Sequence, residues 1–157
     1  MLMKDGTIVL LYKDVSTNKL SCTKLVQDET AVDTYGYRWE HVGPQGFSPT
    51  VLNAEVRAVM SSTDEPVVFF STDDASYRTD GSTGGTGTVM KYDAANDEWK
   101  GVGPKDCTYN VSPGNMGIAL HPKTDNVYII YQEGLGGASV RYLNPKKKFW
   151  ELLAMDD

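Results

Sequence analysis

The chain has 157 residues, with 15 Lys plus Arg against 21 Asp plus Glu, 40% hydrophobic and 10% aromatic residues. That size suits one folded domain with a real core, and the share of aromatic and β-branched residues excludes a disordered chain. A formal net charge of −6 opposes nonspecific nucleic-acid binding, which needs clustered cations, and the longest apolar runs fall well short of the ~20 residues that span a bilayer.

Three units follow one another along the chain. The first places a strand at residues 7–14 (TIVLLYKD), a second at 21–26 (SCTKLV), a long turn, and then Arg38-Trp39. The second unit runs 56–61, 66–72, 88–92 and 99–102, with turn residues Thr63-Asp64-Glu65 and Ala94-Ala95-Asn96-Asp97 between strands. The third runs 117–121, 126–132, 139–143 and 149–152, turning at Lys123-Thr124-Asp125 and Asn144-Pro145-Lys146-Lys147. Alternating short strands and turn clusters leave no capped segment with a helical apolar stripe.

The units are in register. Thr7, Pro66 and Asn126 open equivalent strands 59 and 60 residues apart, Trp39, Trp99 and Trp150 follow at spacings of 60 and 51, and Val42-Gly43-Pro44 recurs at Val102-Gly103-Pro104. A period of this length with several short strands per unit predicts an all-β fold: a partial β-propeller of about three four-stranded antiparallel blades. Blade 1 covers 1–47, blade 2 covers 54–103 and blade 3 covers 115–154. Residues 1–6 match only the end of an innermost strand and its turn, so blade 1 lacks its innermost strand.

The spacing from Tyr92 to Trp99 and from Tyr142 to Trp150 resembles the third and fourth strands of kelch-type blades. The kelch double glycine is replaced by Ser71-Thr72 and Tyr131-Gln132. A nearer resemblance is to bacterial surface-protein repeats built on V-M-K-Y, W, V-G and G-F-S, matched by Val89-Met90-Lys91-Tyr92, Trp99, Val102-Gly103 and Gly46-Phe47-Ser48. The resemblance implies adhesion or recognition modules at an extracellular or cell-surface location, with no shared catalytic residues. The sequence by itself places the chain in no compartment.

Few residues suggest chemistry. Asp73, Asp74 and Asp80, with neighbouring hydroxyls, offer oxygen ligands of the kind calcium takes, but their spacing lacks the ordered loop motif, and the glycine-rich composition reads as a solvated loop. His41 and His121 have no Ser, Cys or second His at catalytic spacing. Cys22 and Cys107 are too few for a disulfide framework and read as free structural thiols. The tryptophans recur in register, so packing between blades accounts for all three with one cause. No catalytic residue, metal ligand or cofactor is assigned.

Antiparallel blades send alternate connections to opposite faces, which gathers residues 73–87, 133–137, 43–54 and 103–115 on one face. Long loops on a rigid scaffold are where binding residues concentrate, so Phe47, Asp73, Asp74, Tyr77, Arg78, Asp80, Tyr109 and Glu133 are the candidate ligand-binding residues. The chain is thus expected to be a noncatalytic module binding a protein or glycan. The alternative is an enzyme of hydrolase or lyase type, its site at the propeller centre completed by further blades. Two or three blades do not close a ring, and the open blade faces are expected to be covered by further blades of a longer chain or by other subunits.

Overall fold

A computed structural model describes residues 1–30, 35–72, 85–105, 107–108, 111–133 and 137–155, without the side chains of 52–55, 111–114, 133 and 155. The fold is all-β and forms three antiparallel sheets. Blade 1 is β1 (Val9–Lys13), β2 (Leu20–Gln27) and β3 (Tyr37–His41). Blade 2 orders β4 (Val51–Met60), β5 (Pro66–Thr72), β6 (Thr86–Asp93) and β7 (Glu98–Gly101) from inside to outside. Blade 3 repeats this with β8 (Val111–Leu120), β9 (Val127–Glu133), β10 (Ala138–Asn144) and β11 (Phe149–Met155).

The first blade has three strands plus a stub where the innermost strand belongs. Leu2 bridges Ile8 antiparallel, and Met1 and Val9 exchange hydrogen bonds, the Met1 ammonium donating to the Val9 carbonyl at 2.8 Å. Two strands begin earlier than expected. β4 starts at Val51 and β8 at Val111, each with a break in register before Val56 and Met116 respectively. Asn53, Pro113 and Gly114 made these stretches read as loop. The register break falls in the segments that hold these residues, and β8 is an innermost edge strand, a position where sheets tolerate proline.

The sheets stack face to face with a core between each pair. Val9, Leu20 and Cys22 of blade 1 meet Val68, Phe70, Met90 and Trp99 of blade 2. Val67, Phe69 and Val89, on the other face of blade 2, meet Met116, Ile129, Tyr131 and Trp150 of blade 3. This explains why β5 opens with five apolar residues in a row, Pro66 to Phe70: both its faces are covered, and all seven of its residues are buried.

Outer-edge packing is set by one residue pair per junction. Gly43 has φ 74°, and a Cβ there would stand 2.8 Å from the Trp99 ring. Only glycine allows both that conformation and that approach. The Trp99 indole N–H then donates to the Val42 carbonyl at 2.8 Å, and the Gly43 N–H donates to the Asp97 carboxylate at 3.2 Å. Gly103, with φ 77°, repeats the approach on Trp150, a Cβ there falling 3.0 Å from the indole nitrogen. At the inner turns a second link repeats. The backbone N–H of Lys4 donates to Asp64 at 2.9 Å, and that of Ser62 to Asp125 at 3.1 Å, each carboxylate belonging to the next blade. Lys4 adds a bond from its ammonium to the Ser62 carbonyl.

Trp99 and Trp150 are 8% and 6% exposed, whereas Trp39 is 50% exposed. The three tryptophans are equivalent by position, and the difference is the neighbouring blade that Trp39 lacks. Trp99→Ala should therefore cost about 3–5 kcal/mol, the range for truncating a buried large aromatic, and Trp39→Ala under about 1 kcal/mol. Urea unfolding of the two variants checks this, and equal losses would contradict it.

Candidate functional site

Sequential antiparallel strands put the links on two ends of the blades. One end carries the turns 61–65, 94–97, 121–126 and 145–148 and the longer 28–36. The other carries 14–19, 73–85 and 134–137 within blades, and 42–50 and 102–110 between them. Of the sequence-predicted site residues, Phe47 and the backbone of Glu133 are described at this second end.

Asp73, Asp74, Tyr77, Arg78 and Asp80 fall in the link between β5 and β6, and Tyr109 in the link before β8. All six lie outside the described residues. Glu133 is the last residue of β9, its backbone paired with Val111, and its side chain also lies outside the described set. Phe47 is described. Its ring stacks on Trp99 with centroids 3.9 Å apart and planes 6° from parallel, and its N–H donates to the Leu20 carbonyl. The ring packs over the junction of blades 1 and 2.

The same end holds a cleft that the sequence did not single out. About 560 Å³ of space is bounded by Arg57, Asn115, Met116, Tyr131, Gln132 and Ala138. Asn115 Nδ2 donates to Gln132 Oε1 at 2.5 Å, and Arg141 Nε donates to the Tyr131 hydroxyl at 2.9 Å, which fixes these polar groups in place. The cleft combines a guanidinium, two amides, a phenol and apolar walls. Such a set can donate to and accept from a polar neutral or anionic ligand while covering its apolar parts. Arg57 was detectable in principle: Val56, Ala58 and Met60 pack toward blade 1, so by alternation Arg57 shares the other face with Val59, a packed core position.

Other chemistry-bearing groups have structural partners. His121 Nδ1 accepts the Lys123 N–H at 3.3 Å, pinning the β8–β9 turn, and His41 is exposed at the end of β3. Neither cysteine is in a disulfide, and both are buried, one in each interblade core, with the Cys107 thiol donating to the Gly87 carbonyl at 2.9 Å. Burial pushes the Cys22 thiol up to about 12, so it stays protonated at neutral pH and is a poor nucleophile. Among the described residues, no three His, Cys, Asp or Glu side chains come together as a metal site.

The Tyr92 phenol, beside Trp99, is also pushed up to about 12, first by burial and then by its hydrogen bond to Asp97 at 2.6 Å. Cys22 and Tyr92 therefore weaken the blade 1–2 junction in alkali. Both groups ionise more easily when unfolded, near ~8.5 and ~10, so their contribution is full below those values and is lost as pH rises toward about 12. Urea midpoints should fall steadily above pH ~9, and Tyr92→Phe should flatten the decline. A midpoint independent of pH up to ~11 would contradict the assignment.

No protein-family model matches the chain, and no curated protein is significantly similar to it.

Proposed function

We propose that the chain is a noncatalytic recognition module that holds a protein or glycan ligand at the long-link end of its blades, anchored in the cleft beside Arg57, Asn115 and Gln132. The observation that carries this is the coincidence of the cleft with the end where the long links emerge, on a scaffold made rigid by two continuous interblade cores. Rigid sheets presenting variable links are a favourable arrangement for binding, because little ordering entropy is lost on association. The polar lining suits hydroxyl-rich or peptide ligands, which need both donors and acceptors. The proposal includes Asp73, Asp74, Tyr77, Arg78, Asp80, Tyr109 and Glu133 as further ligand-binding residues of the module. The resemblance to surface-protein repeats supports an adhesive role at a cell surface.

A thermal-shift screen of glycans and peptides, with calcium present and absent, tests the proposal. A bound ligand at a hundredfold excess over its Kd stabilises by about 2.7 kcal/mol, and Arg57→Ala should weaken its affinity at least about tenfold, or 1.4 kcal/mol. A ligand chemically converted by the protein would make the site catalytic, at the propeller centre of a larger assembly. A ligand bound equally well by Arg57→Ala would remove the cleft from the account.

A further inference from the structure

Both internal junctions seat a glycine between two walls. Gly43 lies against Trp99 and Tyr92, and Gly103 against Trp150 and Leu143. In each case the second wall is the tryptophan's cross-strand partner, Tyr92 opposite Trp99 and Leu143 opposite Trp150. Blade 1 carries the same two walls, Leu25 opposite Trp39. Its Val9, Leu20 and Cys22 point into the core with blade 2, so by alternation Ile8, Leu10, Leu25 and Trp39 lie on the opposite face. There Ile8, Leu10 and Trp39 are 47%, 47% and 50% exposed. A groove of about 480 Å³ runs past Ile8, Leu25 and Tyr37 on this blade.

We propose that this face of blade 1 is a docking surface for a partner β-blade whose outer strand ends in an aliphatic residue followed by glycine. The partner's glycine takes the left-handed conformation of Gly43 and Gly103 and seats between Trp39 and Leu25, and the carbonyl before it accepts the Trp39 indole N–H as Val42 does from Trp99. The inner-turn link is not part of this contact, because Gly6 stands where Asp64 and Asp125 offer carboxylates in blades 2 and 3. The outer seat and the apolar face carry it.

A second copy of this chain does not supply the seat. After Trp150 the chain continues Glu151-Leu152-Leu153-Ala154-Met155, with no glycine, and β11 stays extended through Met155 where blades 1 and 2 turn. A Cβ at the seat position would meet the tryptophan at about 2.8 Å, as one at Gly43 would. The outward face of blade 3 is capped by a stack of Tyr128 on Tyr142 and by the Tyr142–Glu151–Lys147 hydrogen bonds.

Grafting the blade 2 ending onto blade 3 of the full chain converts it into its own partner. The variant L152G/L153V/A154G/M155P, altered only in the outer edge strand, should self-associate head to tail at least about tenfold more strongly than the parent in sedimentation equilibrium. Adding Trp39→Ala should return it to the parent's behaviour. If far-UV circular dichroism shows that the fourfold variant does not fold, L153V/A154G reads the same way. A folded variant that sediments like the parent, or one whose association survives Trp39→Ala, overturns the proposal. So does a parent chain whose own association is abolished by Trp39→Ala, because a second copy would then be the occupant.

Discussion

Everything in this fold depends on how one blade meets the next, and at the outer edge that meeting is an indole laid on a glycine. The Trp99 ring reaches the backbone of blade 1 because Gly43 has no side chain to hold it away, and the indole N–H finds the Val42 carbonyl as a result. Phe47 then closes over the ring. Burial of this cluster fixes the outer strands, while the carboxylates of Asp64 and Asp125 fix the inner turns on the preceding blade. Two anchors, one apolar and outside, one polar and inside, hold neighbouring sheets at a single rotation. The cores between them supply most of the stabilisation, since apolar area removed from water is the dominant favourable term, and exposed pairs such as Lys24–Glu40 add little.

Blade 2 shows what the arrangement requires of a sequence. With a neighbour on each face, its second strand has no polar alternation, and Phe69 and Phe70 point into different cores. Blades 1 and 3 have one neighbour each. They keep exposed apolar residues on the free face, Leu10 of β1 with Ile8 just before it in one and Ile130 of β9 in the other. The free faces differ in kind: blade 1 presents a ready seat, whereas blade 3 presents stacked tyrosines and a charged network. That asymmetry gives the stack a direction.

The architecture was legible because its determinants are local and periodic. Tryptophan spacing, the repeated Val-Gly and the turn residues before each strand all report the blade directly, and the missing inner strand of blade 1 followed from aligning residues 1–6 with the turn of blade 2. Strand starts at Val51 and Val111 were not legible, because Asn53, Pro113 and Gly114 signal a loop while tertiary pairing holds them in a strand through a register break. The candidate site was less accessible still. Its polar groups come from β4, β8 and β9, and only stacking of blades 2 and 3 brings Arg57 near Asn115 and Gln132. Phe47 lies on a link that the sequence shows, but its stacking on Trp99 joins residues 52 positions apart, and no local signal reports such a contact.

The central claim is that two tryptophans are sealed on the glycines of preceding blades and the third waits for one. Iodide quenching of tryptophan fluorescence in dilute, folded protein tests it most directly. The account predicts a single accessible emitter, red-shifted and removed by Trp39→Phe, with Trp99 and Trp150 protected until the protein unfolds. Quenching of Trp99 or Trp150 in the folded chain, or an accessible fraction unchanged by Trp39→Phe, would contradict it.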